Sequence, residues 1–344
     1  MRKTIIKSTG RYLPERCVTN DDLTDIMDTS DEWIVQRTGI KQRYWVPDEG
    51  VTTSDLAYEA SKIALERAGW SADQLDLIIF ATLTPDLHMP GAGCLLQHKL
   101  GSKHIPAIDI RQQCTGFIHG LEIAHAYSMG GLAKKILVVG AEVQSKIFDL
   151  TTRGRDMAVI FADGAGVACV ESVESDENVG ILSSVLHANG EFAENLMIEA
   201  PGSRLNKYSM CEKWVEELKH YPSMDGRAVF RFAIKKLPEV AIEALEKAGL
   251  TLDDIDLIVP HQANLRINQA LEKKLNLPPG KIFNNIERYG NTTAGSIPIA
   301  LDEAIEMGKI DTKKDTIMFI GLGAGYTWGA SIYKFGQFKG TSNN

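Results

Sequence analysis

Short apolar runs recur along this chain, separated by stretches whose apolar residues return at helical spacing. LIIFATL (77–83), KKILVVGAEV (134–143), DLIVPH (256–261) and TIMFIGLGAG (316–325) are brief and nearly uninterrupted, so they read as buried strands. TIIKSTG (4–10), ILSSVLHANG (181–190), GASIYKFG (329–336) and VIFADGAGVACVE (159–171), with a Gly-rich turn inside it, read as further strands. Asn20 and Ser30 stand where N-caps belong, ahead of DDLTDIM and DEWIVQRTG, and Ser54 opens a helix that stops at Gly69. Helices are also predicted over residues 92–100, GFIHGLEIAHAYSM (116–129), residues 228–248 and LRINQALEKKL (265–275). Residues 188–226 lack clear periodicity apart from CEKWVEELKHY, and this stretch is expected to cover a pocket.

The pattern repeats at an offset of 180 residues. ALERAGWSADQLDLII (64–79) and ALEKAGLTLDDIDLIV (244–259) are identical at nine of sixteen positions. Each copy is a helix tail, a Gly stop (Gly69, Gly249), a short acidic link and an apolar strand. A strand following a helix this closely is one arm of a βαβ unit, and two such units predict a duplicated α/β fold with a pseudo-two-fold axis. The acidic ESVESDENVG (171–180) marks the seam, giving halves 1–175 and 176–344 packed as one structural unit.

In parallel α/β sheets reactive groups collect beyond the carboxyl ends of strands, beside helix N-termini. Cys114 follows IPAIDIR (105–111) and precedes a helix; adding 180 lands in GNTTAGS (290–296), also just before a helix. The Cys114 segment and the Asn291 loop are therefore repeat equivalents and should face each other, with His261 ending the second copy's strand. Backbone N–H groups at a helix N-terminus stabilise a thiolate, and Gly116 keeps the turn sharp and permits close approach of a substrate. A buried structural cysteine fits the same position. His261, followed by Gln262, Ala263 and Asn264, is a candidate base or donor. Asn291 suits either a turn or a site. Cysteine, histidine and asparagine also meet in papain-like proteases, but a duplicated α/β sheet is the wrong scaffold. An Asn and a His that both donate suit a developing thioester enolate.

Composition narrows the function class. The 344 residues are 44% hydrophobic and 24% charged, enough for two core-sized units. A net charge of −8 argues against coating nucleic acid. Five cysteines without a CxxC fit a reducing cytosol and argue against a disulfide framework or a metal site. No apolar run reaches a membrane span and the N-terminus lacks a signal-peptide core, so a soluble cytoplasmic protein is expected.

The residues also carry a family resemblance. DTSDEWIVQRTGIKQR (28–43), QQCTGF (112–117), FADGAG (161–166), DGRAVFRFA (225–233), HQANLRI (261–267), ERYGNTTAGSIPIAL (287–301) and GLGAGYTWGA (321–330) occur in family order over nearly the whole chain. On these the chain resembles a β-ketoacyl-acyl-carrier-protein synthase III of the thiolase-fold superfamily. The resemblance implies a homodimer of five-layered αβαβα subunits. It implies an acyltransferase that initiates type II fatty acid synthesis by decarboxylative Claisen condensation of an acyl-CoA primer with malonyl-acyl-carrier protein. Cys114 would carry the acyl group, and His261 and Asn291 would promote decarboxylation. Backbone N–H groups of Cys114 and of the loop Gly323–Ala324–Gly325 would form the oxyanion hole. The resemblance places Trp33, Arg37 and Arg155 on coenzyme A, and Gly226, Phe230 and Asn264 along its pantetheine tunnel. It places Arg266 at the carrier-protein docking site and Met89 as the acyl-pocket gate across the dimer. No metal or redox cofactor is implied.

This chain departs from the family pattern at Thr115, where Ala is common, at Gln112 and Gln113, and at Ala324 in a loop usually made of glycines. Met89 stands where an aromatic is often found, and a flexible thioether side chain would admit a different or longer starter. The alternative reading is therefore a related condensing or acyl-transfer enzyme acting on longer or unusual acyl groups in secondary or hydrocarbon metabolism. A non-catalytic partner binding acyl chains is disfavoured by the intact Cys114, His261 and Asn291.

Overall fold

The computed structural model describes residues 1–47, 49–205 and 210–336. Two sheets carry the fold. The first contains β1 (Arg2–Tyr12), β2 (Leu77–Ala81), β3 (Ala107–Ile110), β4 (Lys135–Glu142) and β5 (Gly164–Glu174), in the order β1-β5-β4-β2-β3. The second contains β6 (Gly180–Ala188), β7 (Leu257–Pro260), β8 (Thr316–Gly323) and β9 (Thr327–Lys334), in the order β7-β8-β9-β6. In the first, β2 runs parallel to β3 and β4, while β5 is antiparallel to β4 and β1. The second repeats this: β7 is parallel to β8, and β9 is antiparallel to β8 and β6. Its fifth strand has shrunk to one parallel bridge, Ile258 to Ile282, where Ile78 pairs with Ala107 in the first copy.

The predicted repeat survives in backbone detail. Helices α2 (Thr53–Ala68) and α5 (Gly226–Ala248) stop at Gly69 (φ 69°) and Gly249 (φ 68°), in the left-handed region that glycine tolerates. Ser71 with Gln74, and Thr251 with Asp254, then close identical capping boxes.

Side-chain alternation along the strands sorts the core into layers. Leu77 and Ile79 of β2 face inward with Val259 and Phe319 of the second sheet, against α4 (Gly116–Met129) and α7 (Ser296–Glu306). Ile78 and Phe80 face outward under α2 and α3 (Ala92–Leu100). Ile258, Met318 and Ile320 face α5 and α6 (Leu265–Lys274) on the far side. The stack is helix, sheet, helix, sheet, helix: the expected thiolase-like αβαβα arrangement.

A polar network fastens the two copies. Asp302 on α7 is 1% exposed and accepts from Thr9 Oγ1 (2.6 Å) and Arg67 Nη1 (2.6 Å), and it pairs with Arg11. Asp302→Ala leaves two guanidiniums short of a carboxylate. It is expected to cost about 3 kcal/mol, the low end for breaking such a pair because Arg67 keeps contact with water. Denaturant unfolding measures this; a loss below about 1 kcal/mol would mean the network is dispensable.

Local differences from the sequence reading have local causes. Thr19, not Asn20, caps the first short helix, because the Asn20 amide is committed to Asp31, the Ile40 carbonyl and Arg43. Thr52 precedes α2, with Ser54 inside it. Residues 159–163 are not strand; Arg155–Ala158 is a helical turn and β5 begins at Gly164. Within 188–226 lie a short helix, Glu212–Glu216, and a two-residue ladder of Leu196–Met197 with Ser223–Met224.

Candidate active site

Two matching turns meet near the pseudo-axis. Gln113–Thr115 forms a 3-10 turn running into α4, and Thr293–Gly295 forms one running into α7. Their first residues, Gln113 (φ 42°) and Thr293 (φ 49°), are 180 apart, and both are non-glycine residues with positive φ. Such conformations cost free energy and collect at functional sites. The repeat partner of Cys114 is thus Ala294, and Asn291 lies three residues upstream. Gly116 serves packing rather than substrate approach. A Cβ there would stand 2.8 Å from the Ala81 Cβ and 3.3 Å from the Ala294 Cβ, so the turns could not close against β2 and each other.

Cys114 is 8% exposed, and its turn abuts β8. A Cβ on Gly323 would lie 3.0 Å from the Cys114 nitrogen, so only glycine lets this strand end pass so close. Burial pushes the Cys114 thiol up to about 12, and Glu142 adds to the shift. The resting group is therefore a thiol. The helix-terminal thiolate expected from sequence is outweighed by the loss of water.

His261 and Asn291 both line the cavity, and the ring is uncharged. His261 Nδ1 lies 2.6 Å from Ser296 Oγ, which also accepts from the Gln262 N–H at 3.3 Å. Where the Ser296 hydroxyl donates to Nδ1, the ring proton sits on Nε2. Nε2 itself is buried and without a partner. Burial lowers the ring to about 3, so it stays uncharged. Asn291 Oδ1 accepts from the Thr293 N–H (2.9 Å), leaving Nδ2 as the free donor. Its backbone is clamped between Ile160 and Ala162. Two donors in a dry site, aimed by their own hydrogen bonds, can stabilise an oxygen that gains negative charge.

One cavity of about 1450 Å³ joins these groups. Cys114, His261, Asn291, Gly323, Ala324 and Gly325 line it, as do Phe230 and Asn264. Trp33, Arg37, Arg155, Gly226 and Arg266 also line it. Arg37 and Arg155 lie 4.2 Å and 4.9 Å from the centroid of the Trp33 ring, a cationic aromatic platform suited to a phosphorylated heterocycle. Asn264 is engaged structurally: it caps α6 through the Arg266 N–H (2.9 Å) and donates to the Arg37 carbonyl (3.0 Å). Leu196, Met197 and Met224 from the irregular segment line one wall, as expected for a cover. Met89 is 84% exposed and is not among the lining residues of its own chain.

Sequence reasoning missed Ser296, Thr293 and Glu142. Ser296 is the repeat counterpart of Gly116, and only the fold reveals that it reaches His261. Glu142 had a signal: one carboxylate at the end of an otherwise apolar strand, 0% exposed.

Known proteins share this arrangement. The family model described as 3-oxoacyl-(acyl-carrier-protein) synthase III matches residues 108–190, and its C-terminal model matches 245–335. A β-ketoacyl-(acyl-carrier-protein) synthase III of Caldanaerobacter subterraneus subsp. tengcongensis is 46% identical, over 96% of this chain and 98% of that protein. One from Clostridioides difficile is 44% identical, over 97% and 98%. A crystal structure of 3-oxoacyl-(acyl-carrier-protein) synthase III from Aquifex aeolicus superposes with a TM-score of 0.87 at 43% identity, covering 96% of this chain and 100% of that one.

Proposed function

The chain belongs to the β-ketoacyl-acyl-carrier-protein synthase III family, and on that premise we propose how its own residues divide the initiating condensation of fatty acid synthesis. It is an acyltransferase of this type. Acyl-CoA enters past the platform of Trp33, Arg37 and Arg155, with its pantetheine arm along Gly226, Phe230 and Asn264. The Cys114 sulfur attacks the thioester carbonyl. Its proton leaves with the CoA sulfur as the new S–C bond forms and the old one breaks. Backbone N–H groups of Cys114 and the Gly323–Gly325 loop hold the oxyanion.

Malonyl-acyl-carrier protein follows, its acidic surface meeting Arg266 against an otherwise acidic chain. His261 Nε2–H and Asn291 Nδ2–H donate to the malonyl thioester oxygen. Carbon dioxide departs, and the carbanion attacks the acyl-cysteine. The C–S bond to Cys114 breaks, its thiolate takes up a proton from water, and a β-ketoacyl-acyl-carrier protein is released. Residues 1–175 supply the nucleophile and 176–344 the donors, as two halves of one unit. A cytoplasmic homodimer, in which Met89 of one subunit gates the acyl pocket of the other, completes this reading. It needs no metal or redox cofactor.

The observation supporting this division is that Cys114, Asn291 and His261, its buried Nε2 unpartnered, share one cavity. Intact-protein mass spectrometry with acyl-CoAs from short to long chain tests it. One adduct per chain from short primers, discharged by malonyl-acyl-carrier protein, is the expected result. Adducts from long or unusual acyl groups alone would move the enzyme out of fatty acid initiation.

A further inference from the structure

A buried arginine that the reaction does not use lies behind the cationic aromatic platform. Ile34, Ile40, Met157 and Val159 pack into a small core there, and Trp33 packs against it from outside. Arg43 is 0% exposed. A guanidinium stripped of water persists only where acceptors replace it. The hydrogen bonds of Arg43 go to neutral oxygens: Nη1 donates to Asn20 Oδ1 (2.8 Å) and, more weakly, to the Val18 carbonyl (3.4 Å), and Nη2 donates to the Val159 carbonyl (2.7 Å). Its Nε is buried without an acceptor. Burial lowers Arg43 to about 10, so the side chain remains charged at neutral pH.

Each end of that fork leads to one wall of the platform. On one side, Asn20 Nδ2 donates to Asp31 Oδ1 (2.8 Å) and to the Ile40 carbonyl (2.7 Å), at the two ends of the helix Asp31–Thr38 that carries Trp33 and Arg37. On the other, Val159 closes the helical turn Arg155–Ala158, its N–H bonded to the Arg155 carbonyl (3.3 Å). Arg155 reaches from that turn over the Trp33 ring. We infer that Arg43 is a positioning residue for the coenzyme: its fork ties the Trp33 helix to the Arg155 turn and so fixes the gap in which a nucleotide is gripped. The inference rests on the reading of this platform as the coenzyme A site. The two acceptors belong to different segments, and a planar guanidinium meets both at fixed spacing where a single ammonium does not. The nucleotide is remote from the thioester, so loss of Arg43 weakens binding of the coenzyme and leaves the chemistry at Cys114 unchanged.

The test is acylation of the full chain, followed by intact mass. The acyl group that loads the wild type best is offered as its CoA thioester and as its pantetheine thioester, which lacks the nucleotide. Arg43→Met should raise the half-saturating concentration of the CoA thioester roughly tenfold, the scale of one lost charge-assisted hydrogen bond. The limiting rate, and the whole reaction with the pantetheine thioester, should stay within about twofold of the wild type. Arg43→Lys keeps the charge without the fork and should behave as Arg43→Met. Calorimetric titration with coenzyme A alone should read the same loss without acyl transfer. Where neither variant folds, the exposed Asp31 serves. Asp31→Ala breaks the chain of bonds at Asn20 and should raise the same concentration, whereas Asp31→Asn keeps an acceptor and should not. A folded Met variant that keeps the wild-type preference for the CoA thioester, or that slows both thioesters alike, sinks the proposal. So does a Lys variant indistinguishable from the wild type. Trp33→Ala separates the two readings. If it leaves the preference unchanged, the platform is not the coenzyme site and the inference falls with that reading. If it abolishes the preference while the Arg43 variants keep it, the inference alone fails.

Discussion

Cys114→Ala yields no acyl-enzyme with any acyl-CoA, and condensation falls by roughly four to six orders of magnitude, the scale of losing a nucleophile. The expectation follows from geometry. Among the described residues Cys114 is the only cysteine on the cavity wall; Cys169 is buried within β5 and Cys94 sits on α3. The adjacent Thr115 hydroxyl is not set to replace it, because its Oγ1 donates to the Gln112 carbonyl (2.9 Å) and pairs with Thr327 Oγ1 (2.9 Å). Replacing a small buried thiol by a methyl should cost no more than about 1–2 kcal/mol, so the variant should fold and still bind acyl-CoA. Intact mass reads acylation, and equilibrium binding of acyl-CoA reads the cavity. A stoichiometric adduct on the alanine variant would show that the nucleophile has been misassigned.

How much of this site could be read from the chain depended on what carries each residue. The repeat was legible because helix stops and capping boxes are local: Gly69 and Gly249, then Ser71 and Thr251, sit at fixed spacing and need no tertiary information. The same offset located the Asn291 loop opposite Cys114, and the resemblance supplied the roles. What periodicity could not carry was the state of those groups. The thiol looked like a thiolate because a helix N-terminus is visible in sequence, whereas burial is not; burial prevailed. The Ser296 bond to His261 spans 35 residues, and nothing in HQAN or SIPIAL announces it. Asn20 has the chemistry of a cap and Ser54 that of a helix start, but tertiary partners claim both: Asn20 accepts from Arg43 and Ser54 donates to Asp86. Met89, the proposed gate, is exposed and does not line the cavity of its own chain.

His261→Ala and Asn291→Ala are expected to separate the two half-reactions. Each removes one donor to the enolate oxygen, which typically costs 10²–10³ in rate. On the proposed division acylation needs neither, because its oxyanion would be held by backbone N–H groups beside Cys114. Both variants should therefore form the acyl adduct largely as the wild type does, then fail to discharge it with malonyl-acyl-carrier protein. Single-turnover mass spectrometry reads both steps on one sample. The pH dependence adds an independent check. Burial depresses the His261 pKa, so its neutral form, the donor, persists while an ordinary histidine would be charging. Decarboxylation should accordingly show no loss as pH falls through the usual histidine range. A clear acid limb there would mean that the ring titrates in the working enzyme. Loss of acylation in a folded His261→Ala variant would mean instead that the ring takes the thiol proton, and the division between nucleophile and donors would have to be redrawn.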